Sequence, residues 1–140
     1  MKLPAAVFLC VSLCLLPLEA VRAHEPVDTA QTVIQSQITA FLNDDAKTAY
    51  SFASPTIRGK FPSEDVFFDM VKKGYAPVYR PGNFAFGRSK VTGDMVVQEV
   101  LISAPDGKDW TALYQVVKQP DGSYKITGVH MVRSAPGPEI

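Results

Sequence analysis

Apolar residues recur at helical spacing in the first half of the chain and at alternate positions in the second. Between Thr29 and Leu42 the apolar positions are Val33, Ile34, Ile38, Phe41 and Leu42, and 34, 38, 41 and 42 fall on one stripe with Gln31, Gln35 and Gln37 largely off it. This predicts a long amphipathic helix, with residues 25–28 as a lead-in and Asp28 or Thr29 as N-cap. Asn43-Asp44-Asp45 stops that helix and caps a second, short one over 46–53, which carries Ala49, Tyr50 and Ala53 on one face. Pro55 ends it or begins another turn, and 56–61 reads as a turn of helix and a loop. Ser63 caps a third helix with Glu64 and Asp65 in its first turn and Lys72 and Lys73 in its last, the charge order that suits the helix dipole. Val66, Phe67, Met70 and Val71 form its apolar face, Phe68 lies on the flank, and Gly74 is placed to end it in a left-handed cap.

The eight residues from Gly74 to Pro81 divide the chain. Pro77 and Pro81 bias Ala76 and Arg80 towards extended backbone, so no helix is expected to run through. Four segments of strand character follow: 83–91, interrupted by Gly87 as at a bulge; 95–103; 110–119; and 123–133. Two of the intervening turns carry Pro-Asp-Gly, and the connections are short, which predicts sequential antiparallel neighbours. Trp110, Ala112, Tyr114 and Val116 share one side of their strand. By simple alternation Tyr124, Ile126, Gly128, His130 and Val132 share a side of the last, with Val129 and Met131 opposite. Neither face is purely polar, as in a curved sheet with both faces partly covered. Helices first and a meander after predict an α+β domain, with N-terminal helices packed on a curved antiparallel four-stranded sheet and the first helix across its concave face, a cone whose mouth can hold a pocket.

The first 23 residues change the picture of compartment. A short positive start at Lys2, an apolar run from Pro4 to Leu16 and the small residues around Ala23 read as a secretory signal cleaved after Ala23, with an uncleaved anchor as the alternative. The domain then spans 24–133 and a tail 134–140, and the expected location is secreted, in the periplasm. Both cysteines, Cys10 and Cys14, lie in the signal, so disulfides, thiol catalysis and Cys-ligated zinc are excluded from the remaining residues. About 117 residues are enough for an ordinary core. Setting aside Lys2, Arg22 and Glu19 leaves 12 basic and 13 acidic residues, interspersed and without a basic stripe. Nucleic acid, and a membrane after signal cleavage, are not expected partners.

Ala49–Pro55, then Phe67 to Tyr75, then Pro77–Pro81 resemble a family of small secreted bacterial proteins known only as a domain of unknown function, itself similar to the NTF2-like (cystatin-like α+β) superfamily. The resemblance covers residues 28–133. It implies a curved sheet wrapped round a long helix. It supplies no catalytic set, because the superfamily includes isomerases, dehydratases, polyketide cyclases and non-enzymatic binding or dimerising modules.

Candidate chemistry is sparse. Apart from His24 at its first position, His130 is the one histidine of the domain, and as an acid or base it needs a carboxylate such as Glu99, Asp109 or Asp28. Glu99 stands in an apolar strand; facing a pocket, its pKa would be raised by desolvation, and facing water it would be ordinary. Tyr75, Tyr79, Trp110 and Tyr114 are candidates to line a ligand pocket, against a plain core role. Arg80 either holds a ligand carboxylate or pairs with an acid such as Asp69 or Glu64 to tie sheet to helix. His24 would become N-terminal on cleavage, where amine and imidazole can chelate copper, but no further ligand set is evident. No motif for a cofactor, phosphate or zinc is present. The sequence therefore favours a non-enzymatic module that binds a small apolar or amphipathic ligand, or pairs with itself or another protein through its sheet. The alternative is an isomerase or hydro-lyase that uses Glu99 or His130 with a tyrosine.

Overall fold

A computed structural model describes residues 18–134, with side chains described from Glu25 onward. Most of the signal reading, the side chain of His24 and the tail beyond Ser134 lie outside the described residues. The first helix, α1, runs Leu18–Leu42 and contains Pro26. It therefore begins well before the expected cap. Thr29 and Thr32 donate their hydroxyls to Glu25 O at 2.9 Å and Asp28 O at 3.0 Å, the back-bonding of a helix interior. The physical reason is that the buried stripe continues one turn further: Ala30 is buried and Val27 packs on the core with Ile34, Ile38 and Phe41. Gln37 joins this inward face, whereas Leu42 is exposed.

The end of α1 is a Schellman motif. Asp44 takes a positive φ of 52°, and the amides of Asp44 and Asp45 return to Phe41 O and Ala40 O at 3.0 and 2.8 Å. Asp45 then caps α2 (Ala46–Ser51) by accepting from Thr48 N. Ser54 caps α3 (Pro55–Lys60), and Ser63 caps α4 (Glu64–Gly74). On α4 the buried residues are Phe67, Phe68 and Val71, while Val66, expected inward, is exposed. Gly74 is the last residue of α4 and keeps a negative φ; Tyr75 is the C-cap.

The proline-rich join is not fully extended. Residues Ala76–Tyr79 form a single helical turn, α5, with Pro77 in its first positions. A proline there forfeits no helical hydrogen bond, because the first amides of a helix are unpaired in any case. Buried Val78 pins the turn to the core. Arg80 Nη1 donates to Phe41 O at the end of α1, and its Nη2 meets Asp44 Oδ1 at 2.8 Å. The Tyr79 hydroxyl donates to the same Asp44 oxygen, and the guanidinium lies 4.0 Å over the Tyr79 ring. Arg80 thus takes the helix-tying role, with Asp44 as its acid in place of Asp69 or Glu64. A cation at the C-terminus of α1 is favoured by the helix dipole.

The strands are β1 (Asn83–Thr92), β2 (Met95–Ser103), β3 (Asp109–Lys118) and β4 (Tyr124–Arg133), antiparallel in the order β1-β2-β3-β4. The two Pro-Asp-Gly turns place Gly107 and Gly122 at φ of 82° and 87°, a region that L side chains rarely adopt. The expected irregularity at Gly87 is present, since the β1–β2 register shifts between Phe86 and Ser89. The opened ladder is filled by Gln98, fully buried, whose Nε2 donates to Gly87 O and Arg88 O while its Oε1 accepts from Gln31 of α1 at 3.1 Å. A second irregularity overturns the alternation expected of β4. Val116 pairs with Ile126 but Gln115 pairs with Gly128, so Thr127 is one residue too many. Ile126, Val129 and Met131 consequently all face the helices, and Gly128, His130 and Val132 face away.

One core cluster joins the inward faces of α1, α4 and the sheet. Burial of Ile34, Ile38 and Phe41 alone contributes roughly 1.5–3 kcal/mol each, comparable in sum to the whole stability of an ordinary domain, about 5–15 kcal/mol. Phe41→Ala is therefore expected to cost about 3–5 kcal/mol, read as a lower urea midpoint with an unchanged slope. Asp44 gives a pH signature. Hydrogen bonds from Tyr79 and then Arg80 hold its carboxyl below the usual carboxylate range, so the folded chain binds this proton less readily than the unfolded one. Its stabilisation is present above the ordinary carboxylate pKa and is lost as pH falls through the depressed folded value. Asp44→Asn should lower the melting temperature at neutral pH, with the gap to wild type closing below about pH 4.

Candidate functional site

A cavity of about 300 Å³ opens between the helical layer and β4. Phe41 and Gln37 of α1 form one wall, and Phe67, Met70 and Val71 of α4 a second. Ile57 and Lys60 of α3 with Phe61 make the third, and Ile126 to Val129 close the fourth. Tyr75 and Val78, from the join, complete the lining.

Local hydrogen bonding holds these walls apart. Residues 52–54 are sewn to the edge of β4 by Ile126 N to Phe52 O at 2.8 Å and Ser54 N to Ile126 O at 2.9 Å. Ser54 Oγ donates to Thr127 Oγ1 at 3.0 Å, so the cap of α3 also grips the extra residue of β4. A bulge bends its strand, and Thr127 and Gly128, at this one, are cavity wall. Arg58 donates to Ala53 O, Tyr50 O and Ser51 O, and Lys125 Nζ to Ser51 O at 2.7 Å. Those two cations are thereby committed to backbone carbonyls. Lys60 lines the cavity and, among the described residues, has no carboxylate within salt-bridge distance. Gln37 Nε2 donates to Ala49 O at 3.2 Å, and its amide oxygen remains on the same lining side chain. The site is a mainly aromatic and aliphatic chamber that also carries the Gln37 amide, the Tyr75 phenol, the Thr127 hydroxyl and the Lys60 ammonium group. It can bury an apolar body and hold an anionic or polar head.

The sequence-predicted residues are distributed as follows. Tyr75 lies in the cavity wall. Tyr79 and Arg80 form the latch on α1 already described. Trp110 borders a separate surface hollow with Phe84 and Ile102, and Arg133 stacks 5.5 Å over its ring. Tyr114 is fully buried in the core. Glu99 and His130 both lie on the sheet face opposite the helices, in one row with Leu113 between them. Glu99 is held by Arg88 at 3.0 and 3.2 Å. Hydrogen bonds from the Arg88 side chain and then its amide keep this carboxyl below the usual range, opposite to the rise expected of a pocket carboxylate. The structure does not bring Glu99, His130 and a tyrosine together. Gln37, Lys60, Phe61, Phe67 and Met70 were not singled out as site residues by the sequence. The apolar stripe of α4 is the signal that marks Phe67 and Met70, and Lys60 carries none.

The model of a family described as a domain of unknown function, DUF4864, matches residues 24–139. The chain belongs to the DUF4864 family. No curated protein and no solved structure matches it. The DUF4864 match embraces the described helices from residue 24 and all four strands, and so every wall of the cavity. Among the described residues no cluster of three or more His, Cys, Asp or Glu could hold a metal, and no helix is long and apolar enough to cross a membrane.

Tyr114 carries a buried hydroxyl with no partner among the described residues, and burial pushes its pKa well up. An unpaired buried hydroxyl costs about 1–3 kcal/mol. Tyr114→Phe should therefore leave the fold unchanged and raise stability by up to about 1–2 kcal/mol, measured by urea denaturation; a clear loss of stability would show that the hydroxyl is bonded.

Proposed function

We propose that this DUF4864 protein is a secreted, periplasmic, non-enzymatic module of NTF2-like architecture that holds a small amphipathic anion in the cavity beside β4. The observation that carries the reading is the chamber itself: lined mostly by apolar side chains, with one cation, Lys60, that has no acidic partner among the described residues. A volume of about 300 Å³ stands at the lower end of ligand pockets, about 300–1,000 Å³. At about 30 Å³ per water-sized group it holds on the order of ten non-hydrogen atoms. A short acyl chain with a carboxylate at Lys60, or a one- or two-ring acid, has these dimensions. The positive start, apolar run and small residues of the first 23 positions support secretion. The long helix laid over an antiparallel sheet supports the architectural likeness.

Decanoate is a suitable probe, and decanol its uncharged control. Titration calorimetry is expected to show saturable decanoate binding, abolished by Met70→Trp, which fills the chamber. Lys60→Gln should weaken decanoate roughly two- to fivefold, the range of an exposed ion pair, and leave decanol unaffected. Absence of binding by both probes at millimolar concentration sinks the cavity reading. Native mass spectrometry of protein recovered from the periplasm tests the compartment: the expected mass begins at His24.

A further inference from the structure

Building on the ligand-binding reading of the chamber, we propose that its occupant carries a neutral hydroxyl at the buried end as well as an acid at the outer one, as a hydroxyaryl carboxylate does, and that Gln37 selects it. Gln37 is 3% exposed and lies one helical turn before Phe41 on the inward face of α1. A side-chain amide offers two N–H groups and one oxygen with two lone pairs. One N–H is used, since Nε2 donates to Ala49 O at 3.2 Å. A carbonyl can only accept, so this contact fixes which end of the amide is nitrogen and leaves the oxygen on the side away from Ala49. Among the described residues nothing donates to that Oε1. The oxygen is not sealed in, because the side-chain polar atom that is both sealed and unpartnered among those residues is the Tyr114 hydroxyl. The open space that Gln37 borders is the chamber. Tying α1 to α2 needs only the Nε2 donor, which leaves the oxygen without a structural task.

The two polar ends of the chamber differ. Lys60 is exposed and Gln37 is buried, so a cation stands near the mouth and a free acceptor at depth. An apolar group seated against Oε1 strips it of water and leaves it unpaired, at a cost to affinity, whereas a hydroxyl in the same place restores the bond. A charged donor such as an ammonium is disfavoured, because no carboxylate lines the chamber and an unpaired buried cation is costly. The donor is therefore neutral. Phe41, Phe61, Phe67 and Tyr75 supply aromatic walls, against which a ring packs in offset or edge-on contact. A phenolic hydroxyl, with a pKa of about 10, keeps its proton at neutral pH and can donate it to the amide oxygen. A ring with its hydroxyl and a short carboxylate arm has about twelve non-hydrogen atoms, close to the capacity of the chamber at about 30 Å³ per water-sized group.

Titration calorimetry with 3-(4-hydroxyphenyl)propanoate, 3-phenylpropanoate and 3-(4-methoxyphenyl)propanoate tests the assignment. The wild type is expected to bind the hydroxy acid on the order of tenfold more tightly than the unsubstituted acid, the worth of one hydrogen bond to an acceptor otherwise left unpaired. The methyl ether, which accepts but cannot donate, should bind no better than the unsubstituted acid. Gln37→Met keeps the length of the side chain and removes the oxygen, and Ala49 O retains a partner in Phe52 N at 3.3 Å. In that variant the preference for the hydroxyl should fall to about twofold or less, a ratio that a merely structural role would not move. Lys60→Gln should weaken the hydroxy and unsubstituted acids alike and leave their ratio unchanged. A wild type that binds these two acids equally, a methyl ether that matches the hydroxy acid, or a Gln37→Met protein that keeps the preference would each overturn the assignment. If decanoate still binds in those cases, the ligand-binding reading stands without it; if decanoate and all three aryl acids fail, both fall. The wild-type series alone is decisive if Gln37→Met does not fold.

Discussion

Burial of one face of α1 against the sheet is the constraint on which the remaining structure rests. Ile34, Ile38 and Phe41 leave water only if the sheet lies beneath them, and the inward side chains of β2 and β3 are dry only if the helix covers them. The C-terminus of α1 is where the helical and sheet halves are tied. Its last carbonyls accept from the Schellman amides and from Arg80, and Arg80 is presented by the short turn that leads into β1. Register at the start of the sheet is thus coupled to the end of the helix through one guanidinium group.

Polar groups inside this core are few, and one of them repairs an irregularity of the sheet. Gln98 satisfies the carbonyls that the β1 bulge leaves open and reaches α1 through Gln31. Gln37 satisfies the carbonyl of Ala49 and at the same time lines the cavity. Buried amides in such positions specify one arrangement of the backbone, because an unpaired carbonyl in the core is costly. Tyr114 stands apart, since its hydroxyl repairs nothing.

Much of this was legible in the residues. The boundaries of β2 agree with the sequence reading because the flanking turns are written in Gly and Asp, whose backbone preferences are local. The caps at Asp45, Ser54 and Ser63 are local in the same sense. What was not legible depends on distant partners. Pro26 read as a lead-in, yet Val27 and Ala30 find the sheet and carry the helix back through it. The turn at Ala76–Tyr79 exists because Val78 has a buried seat, which no dipeptide rule foresees. At the site, Tyr75 could be picked out as an aromatic at a junction. Lys60 could not, because its role follows from where α3 lies and from Arg58 and Lys125 being committed elsewhere. Glu99 occupies an apolar strand, but period-2 alternation alone does not say which face is inward; Arg88 and the helices decide that.

Thr127 is a single supernumerary residue, and the shape of the interior hangs on it. Excision of its codon would leave a regular ladder in which Ile126, Val129 and Met131 still point inward, because the pairings on either side already agree with that arrangement. The same excision would remove the hydroxyl that Ser54 grips and straighten the strand where it walls the chamber. A one-codon step therefore separates two interiors on an otherwise identical scaffold. In a lineage of such domains, chamber size could be gained or lost by a heritable indel without any change in the composition of the core.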